Sequence, residues 1–559
     1  MYNKIKRNQD KVFYLIFFLC AVFLFWKIQY GYIFNDEPFI LTMGHRFAKG
    51  DRLLVHEWNF TQTIGVLIAP VIWLYTNITG GTEGLILFCR ALYVIWWLIT
   101  GWVLYRRLKG YGVISIFSVL LFLLYTPLDE MDLTYNVVAL SCMVLFSSYF
   151  LSEGSCKSDY LHGLFLAIAV WVYPYLIVLY FFYIIGVILA NYTRIKKHLD
   201  PDIIIFDKGK AFRVSMTAVI AAVFFFCVFI MGTWKESLDA LSNMLDTREY
   251  TKKTFITLAK LLVKRFPYQM IGGFIVLCIS LADKNRNKNA LVYMSAQAAL
   301  LFVSMGQAFV NTYSFNIHMI PVNVVGFQAF ILLKKRDYKL AFSLGLIGVM
   351  YAVCAFFASD TKLMAFSTGI TITGIASLIF IYNIYKESIQ YESNVFLPFV
   401  GILIILCIQI GGEGLLKLER SYWDGLFPNL TVRITEGSAK GIITTQQYAE
   451  KYEAVYDDVN MIKKMYGEGG KLLSVTIFPS IYLDADYEYA TNSAWTYSNN
   501  KLNYDILNEK LEKYYQLNSD KIPNIIYIGN DDSDMEIRFI DLNAYKPIEG
   551  STGVFYIKE

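Results

Sequence analysis

The sequence predicts a polytopic α-helical membrane protein, with about 13 transmembrane helices, and a C-terminal extracytoplasmic α/β domain. Three observations predict this class. The chain is 56% hydrophobic and only 17% charged, where an ordinary soluble chain carries about a quarter charged residues. The apolar excess stops near residue 411, and the runs before it are long enough to cross a hydrocarbon core of about 30 Å. Finally, Lys and Arg gather at alternate breaks between those runs, as expected when basic residues stay on the cytoplasmic side.

Taken in order, the apolar runs place spans at 12–33, 85–105, 112–127, 133–151, 160–172, 174–192, 212–232, 268–283, 290–308, 318–334, 340–358, 364–385 and 395–411. The first is too long and aromatic for a cleaved leader, and no small-residue cleavage site follows it. Pro174 divides the fifth run from the sixth, because proline removes a helix hydrogen bond and crowds the preceding turn.

Lys4, Lys6, Arg7 and Lys11 put the N-terminus in the cytoplasm. Arg106, Arg107 and Lys109 fall on the same side, as do Arg194, Lys196, Lys197, Lys208, Lys210 and Arg213. Lys284, Arg286, Lys288, Lys334, Lys335, Arg336 and Lys339 complete the set, while the breaks 128–132 and 309–317 hold no Lys or Arg. An odd number of spans leaves 412–559 outside the cell membrane. Segment 63–77 is apolar but short, contains Pro70, and as a span would carry Arg106 and Arg107 to the outer side. It is expected along the outer interface, with Trp73 and Tyr75 among headgroups.

The transmembrane part, 1–411, thus has two long outer loops, 34–84 and 232–267, of a length that usually carries function. In the second, Phe255, Leu258, Leu261 and Leu262 recur at helical spacing among Lys260, Lys264 and Arg265. That pattern is a basic amphipathic helix suited to a surface of anionic phosphates, or a plain interfacial anchor. The eight cysteines, Cys20, Cys89, Cys142, Cys156, Cys227, Cys278, Cys354 and Cys407, are scattered through the apolar part, with none in 412–559. They predict buried thiols rather than disulfides or a metal cluster. The net charge of +4 gives no footprint for nucleic acid.

From 412 the composition is that of a soluble α/β domain. A helix is expected over 443–464, opened by Thr444 and Thr445, with strands at 471–478, 524–528 and 553–558. Gly467, Gly469 and Gly470 are too compact for a phosphate loop and stand before a strand. Recognition or bracing of the membrane part is the expected role.

The chemistry-bearing feature is the acidic pair Asp36-Glu37, where the first span leaves the membrane. An Asp costs about 2.5–3.5 kcal/mol at mid-membrane and less near the boundary, so a solvated helix end is the plain reading. Under two long loops the same carboxylates could act as a general base or hold a metal.

At this point the chain resembles the GT-C-fold glycosyltransferases, in the branch containing protein O-mannosyltransferases and lipid A aminoarabinose transferases. The residues carrying the resemblance are Asp36-Glu37 after the first span, the embedded outer segment 63–84, Arg90 opening the second span, and Arg106-Arg107-Leu108-Lys109-Gly110 closing it. Segment 163–179 with Pro174 is similar to the family's fifth-to-sixth span region, and His318-Met319-Ile320-Pro321 to the segment opening its tenth. The order and sidedness of these motifs over 13–335 carry the resemblance. The chain departs in having Trp58-Asn59-Phe60-Thr61-Gln62 where the family often has a His-Pro-Pro stretch, and Tyr173 where a Lys often precedes the proline.

The resemblance implies an inverting transfer of a sugar from a polyprenyl-phosphate-linked donor, drawn from the membrane lipid, to a glycan, lipid or protein acceptor on the outer face. Asp36 is then the expected base, with Glu37 orienting it. The second acid of the family falls at Asp129, Glu130 or Asp132, and Asp132 or Asp129 is the expected assistant. Arg46, Arg52, Arg248, Lys252 and Lys253 are outer cations able to meet a phosphate, Arg248 and Lys252 foremost, with Arg46 and His318 as further substrate-binding candidates. His45 and His56 read as ordinary loop histidines. No cofactor is required by the pattern; a divalent cation, Mg or Mn, is the one the acids would accommodate, through ligands that remain open.

Two other classes compete. A lipid or sugar transporter would place ionisable groups at mid-membrane, yet 112–127 and 340–358 contain no acidic or basic residue. A lipid-linked glycan polymerase or ligase would also act outside, at a different site. The topology itself is checked by labelling: a cysteine at Asn35 should react with a membrane-impermeant maleimide added from outside. Reaction only from the cytosolic side would invert the whole arrangement.

Overall fold

In this computed structural model the described residues are 2–150, 156–197, 207–244, 253–282, 290–310, 336–390, 394–467, 469–496, 501–532 and 537–558. Most of the expected spans are helices, with ends within about three turns of those predicted: Tyr2–Lys27, Leu85–Leu108, Val113–Leu124, Tyr135–Tyr149, Cys156–Val172, Ile177–Lys197, Lys208–Phe225, Pro267–Ala282, Ala290–Val310, Arg336–Ala358, Leu363–Gln390 and Phe396–Glu419. The span expected at 318–334 lies outside the described residues. Among the described residues seven helices are long and apolar enough to cross a membrane, or eight if Phe255–Arg265 and Pro267–Ile279, bent by 99°, form one span. Val113–Leu124, Tyr135–Tyr149, Pro174–Leu189 and Leu291–Met305 are apolar but shorter, so the count of 13 is not reproduced.

The two ends of the bundle differ in charge. Asp10 accepts hydrogen bonds from Tyr105 (2.7 Å) and Lys109 (2.5 Å), and the Gln9 amide donates to Gly112 O at 3.0 Å. Asp159 meets Arg213 at 2.7 Å and Lys210 at 3.5 Å. Among the described residues, the basic turns at 106–109 and 208–213 lie at one end of the bundle, linked by Arg107 on the Tyr149 ring and Tyr149 on His162.

The opposite end carries the α/β region. The last membrane helix runs on to Glu419 before two small antiparallel pairs form, Arg420–Ser421 with Gly425–Leu426 and Val432–Arg433 with Ile443–Thr444. A five-stranded sheet follows, in the order Glu488–Tyr489, Lys471–Val475, Ile525–Gly529, Gly553–Lys558, Tyr545–Glu549. The first three strands are parallel and the last two antiparallel to their neighbours.

Side chains alternate between sheet faces. Leu472, Ile525 and Tyr527 join a core with Tyr452, Val455, Val459 and Ile462 of helix Gln446–Tyr466. Leu473, Val475 and Ile526 join another with Leu511 and Tyr514 of helix Lys501–Leu517. Burial on both faces explains why the central strands read as unbroken apolar runs. Helix Lys501–Leu517 and the edge strands had no comparable signal.

Backbone hydrogen bonds seat this region on the bundle. Gly31 N donates to Ile443 O (2.8 Å) and Ile443 N to Gln29 O (2.7 Å), while Gly84 N donates to Gly437 O (2.9 Å) and Trp58 N to Asn492 O (2.7 Å). The loop between the first two spans is two helices, Asp36–Ala48 and Gln62–Thr79. The second, with its Pro70, is long enough to cross, but both flanks touch the α/β region, through Trp58 and through Thr82, whose hydroxyl donates to Leu483 O at 2.8 Å. It therefore lies along that end, with Trp73, Leu74 and Ile78 exposed. The cysteines divide: Cys20, Cys89 and Cys142 are buried as expected, whereas Cys227, Cys278 and Cys407 are exposed on apolar helix faces.

The two loop helices meet through glycines. A Cβ on Gly65 would lie 2.8 Å from Met43 Cβ and 2.9 Å from its carbonyl carbon, so any side chain must displace the backbone of helix Asp36–Ala48. Gly65→Val should lower stability by about 1–3 kcal/mol, read as a depressed thermal midpoint of the purified protein in nanodiscs. An unchanged midpoint would show that the helices have room to separate.

Candidate active site

A cavity of about 660 Å³ opens where the α/β region meets the bundle. Asp36, Phe39, Trp58, Asn59, Glu130 and Tyr135 belong to its wall, with Tyr173, Tyr175 and Lys253 on the bundle side and Asn492, Trp495 and Lys510 from the α/β region. The lining residues drawn from bundle helices stand at helix ends: Tyr135 begins Tyr135–Tyr149, Val172 ends Cys156–Val172, and Ala358 ends Arg336–Ala358. The cavity therefore lies at one end of the bundle and not at its middle.

Local sequence explains how Asp36 comes to this wall. Asn35 caps helix Asp36–Ala48, its side chain accepting from Asp36 N at 2.9 Å. Acidic residues in a first turn are favoured by the free N–H groups and the positive end of the helix dipole. Asp36 is half-buried and faces Glu130, which is 4% exposed. Burial pushes the Asp36 carboxyl above its ordinary range, opposed by a hydrogen bond to Glu130. Glu130 is pushed up much further, by burial and then by the negative charges of Asp36, Glu37, Asp132 and Asp129. Two facing carboxyls in these surroundings resist ionising together, and the stronger upward push falls on Glu130.

Of the acids expected at the site, Glu37 is not on the wall. It is fully buried, and Arg90 Nε and Nη2 donate to its two oxygens. Arg90 Nη1 donates to Ile28 O (2.8 Å) and Gly31 O (2.9 Å), and the guanidinium stacks 3.6 Å from the centre of the Tyr422 ring. Glu37 thus fixes the end of the first helix to the second span instead of touching a substrate. Asp132 is buried, with Oδ1 accepting from Leu133 N (2.7 Å) and Oδ2 unpaired; burial raises its pKa strongly. Asp129 is exposed and does not line the cavity.

Spacing could not choose among three acids in four residues; backbone conformation does. Leu128 and Asp129 both have positive φ (56° and 60°), a strained arrangement for residues with side chains, and Glu130 follows onto the cavity wall. A second strained pair, Tyr422 and Trp423 (φ 49° and 60°), holds the first. Trp423 Nε1 donates to Leu128 O at 3.0 Å and Tyr422 OH to Met131 O at 3.1 Å.

The expected cations separate as well. Arg46 is fully buried and its donors are occupied: Nε by Asp51 (2.8 Å), Nη1 by Glu57 (2.6 Å), and Nη2 by His56 O (2.7 Å) and Thr491 O (2.9 Å). Burial opposes the Asp51 carboxylate, but Arg46, His56 and Lys521 outweigh it and hold its pKa well below the usual range. Arg46 is an internal brace rather than a phosphate ligand. Arg248, Lys252 and His318 lie outside the described residues. Their neighbour Lys253 does reach the wall, bonded to Ser359 O and 3.2 Å from Asp360. Arg52 pairs with Glu236 at 2.8 Å, and His45 contacts Tyr489 OH (2.8 Å) and Asp486 (3.1 Å). Lys510 and Asn492, both on the wall, had no recognisable sequence signal.

Among the described residues no group of three or more His, Cys, Asp or Glu side chains could hold a metal ion. Asp36 and Glu130 are a pair of acids, not a cage.

Fold and cavity together define a polytopic membrane protein with an acid pair in a chamber at one end of its bundle. No protein-family model and no curated protein matches the chain. Solved structures to which it is similar include the archaeal oligosaccharyltransferase AglB from Archaeoglobus fulgidus, in complex with an inhibitory peptide and a dolichol-phosphate. There the identity is 10%, over 98% of this chain and 74% of that chain, with a TM-score of 0.44. For ArnT from Cupriavidus metallidurans the identity is 12%, over 98% of each chain, with a TM-score of 0.45.

Breaking a buried ion pair by removing one partner costs about 3–5 kcal/mol. Arg90→Met should therefore abolish a monodisperse gel-filtration peak or depress the thermal midpoint strongly, and adding Glu37→Gln should restore part of the loss. A double variant no better than the single one would mean that Arg90 acts mainly through Tyr422 and the carbonyls.

Proposed function

We propose that this chain is a membrane glycosyltransferase that moves a sugar from a polyprenyl-phosphate carrier to an acceptor hydroxyl, at the extracytoplasmic face. The observation that carries the reading is Asp36 facing the more deeply buried Glu130, in a chamber at one end of an apolar bundle with Lys253 and Lys510 in the same wall. A transporter reading would favour a chamber at mid-bundle; the lining residues from bundle helices such as Tyr135, Val172 and Ala358 stand at helix ends. The basic cluster at the opposite end supports the outward orientation, because Lys and Arg are retained inside.

The chemistry follows from what each partner lacks. A sugar hydroxyl is a poor nucleophile until its proton begins to leave. Asp36 takes that proton as the oxygen attacks the anomeric carbon. The bond from that carbon to the carrier phosphate oxygen breaks, and the phosphate departs with the electron pair. One displacement inverts the anomeric centre. The leaving phosphate needs positive charge rather than a proton, and Lys253 and Lys510 can supply it; Arg248 and Lys252 belong to the same loop as Lys253. Glu130, carrying its proton, hydrogen-bonds the Asp36 carboxylate and orients it. Glu37, held by Arg90, orients Asp36 only as its neighbour in the chain.

Two measurements test the roles. With membranes offered several radiolabelled polyprenyl-linked sugars, Asp36→Asn should lose ~10²–10⁴-fold in turnover, the range for a general base. Glu130→Gln keeps a neutral donor and should stay within about tenfold of wild type. Equal losses, or unchanged turnover in Asp36→Asn, would remove Asp36 as the base.

The pH profile gives an independent check. A base works ionised, and burial raises the Asp36 pKa, so activity should be present at neutral pH and fall as pH drops through that raised value. The acid limb of kcat/KM should lie above the ordinary Asp value of about 3.9. A limb at or below that value would place a different group in the role.

A further inference from the structure

The chamber has two dissimilar walls. The bundle side brings Asp36 and Glu130 among Phe39, Tyr135, Val172 and Tyr173. The side from the α/β region brings Asn492, Ser493, Trp495 and Thr496, a run of amide, hydroxyl and indole groups. We propose that this second wall is the acceptor subsite and that the acceptor it takes is a sugar, read by Asn492. The proposal rests on the transferase reading given above.

Asn492 is 4% exposed, yet its Oδ1 has no hydrogen-bond partner and the residue borders the cavity. A buried unpaired amide oxygen is costly and infrequent, and its natural complement is a donor brought by a ligand. The loop around it is rigid. Ala490 N donates to Leu472 O at 2.9 Å, continuing the sheet. Thr491 Oγ1 donates to Ser493 O (2.7 Å), and Ser493 Oγ accepts from Trp495 N (3.1 Å). From the membrane part, Arg46 donates to Thr491 O (2.9 Å) and Trp58 N to Asn492 O (2.7 Å). The backbone is thus pinned from both sides while the side-chain oxygen is left over, so little ordering remains to be done on binding.

The chemistry favours a carbohydrate. Trp495, half-buried beside Asn492, offers an apolar ring for the C–H face of a pyranose, while the amide meets its hydroxyls. An extended peptide would instead be held by backbone pairing along a sheet edge. The edge strand next to this loop, Glu488–Tyr489, has only two residues, too few for such pairing. Arg46 is on this account a positioning residue, acting on the acceptor through Thr491.

The test uses the full chain in lipid nanodiscs, which avoids sugar-based detergents, and saturation-transfer NMR with the methyl glycosides of glucose, galactose, mannose and N-acetylglucosamine. Short Ser- and Thr-containing peptides form a second arm. At least one glycoside should receive saturation from wild type and from Asp36→Asn, and its signal should fall at least fivefold in Asn492→Ala. Asn492→Asp, of the same size, is measured alongside, and variants are compared only at thermal midpoints equal to wild type. Absence of any glycoside signal, a signal unchanged in both Asn492 variants, or a peptide signal that depends on Asn492 would each overturn the proposal. Glycoside binding that depends on Asn492 without any transfer from lipid-linked sugars would leave the subsite standing and remove the transferase reading. Transfer with an acceptor KM unchanged in Asn492→Ala would do the reverse.

Discussion

A guanidinium and a carboxylate locked together away from solvent, Arg90 with Glu37, set the geometry on which the rest of the molecule depends. Each charge would be prohibitive to bury alone. Paired in parallel, with two carbonyls of the turn after the first helix and the Tyr422 ring taking up the rest of the guanidinium, they become a joint. That joint joins the first helix, the start of the second span and the beginning of the α/β region. Asp36, the residue before Glu37, has its direction set by its neighbour's commitment. The acid that is fully paired makes the adjacent one available.

The same economy recurs at the second acid. Residues 128–129 and 422–423 each adopt a backbone conformation unfavourable for side-chain-bearing residues, and each turn supplies a partner for the other. Neither element accounts for its own shape; the contact between them does. Strain gathered around a cavity is a common mark of a functional site. Here its geometric result is that Glu130, rather than Asp129 or Asp132, meets Asp36.

Hydropathy and charge made the architecture legible, because a membrane imposes its thickness on sequence and basic residues record sidedness. Segment 63–77 reads as interfacial for that reason, since a crossing would move Arg106 and Arg107, and both its flanks meet the α/β region. Asp36 was legible from its position at the helix exit. Glu37 drew the same expectation and proved to be its support, since sequence does not reveal that Arg90, fifty-odd residues on, takes both its oxygens. Arg46 was misjudged for the same reason: a loop arginine looks free until Asp51, Glu57 and Thr491 are folded around it. Asn492 and Lys510 come from a region whose local pattern describes only its own sheet and helices; their approach to the cavity is tertiary and leaves no periodic trace.

The way the α/β region is fastened has a consequence for biosynthesis. Its hydrogen bonds run from the loop 432–444 back to Gln29 and Gly31, and from Gly437 to Gly84, joining stretches made at opposite ends of translation. The ribosome releases the acid pair early, with the groups that roof it still to be made, so a chain interrupted in the last membrane helix holds both carboxyls but no enclosed chamber. Completion of the chamber is thereby postponed until the final segment has been made and docked.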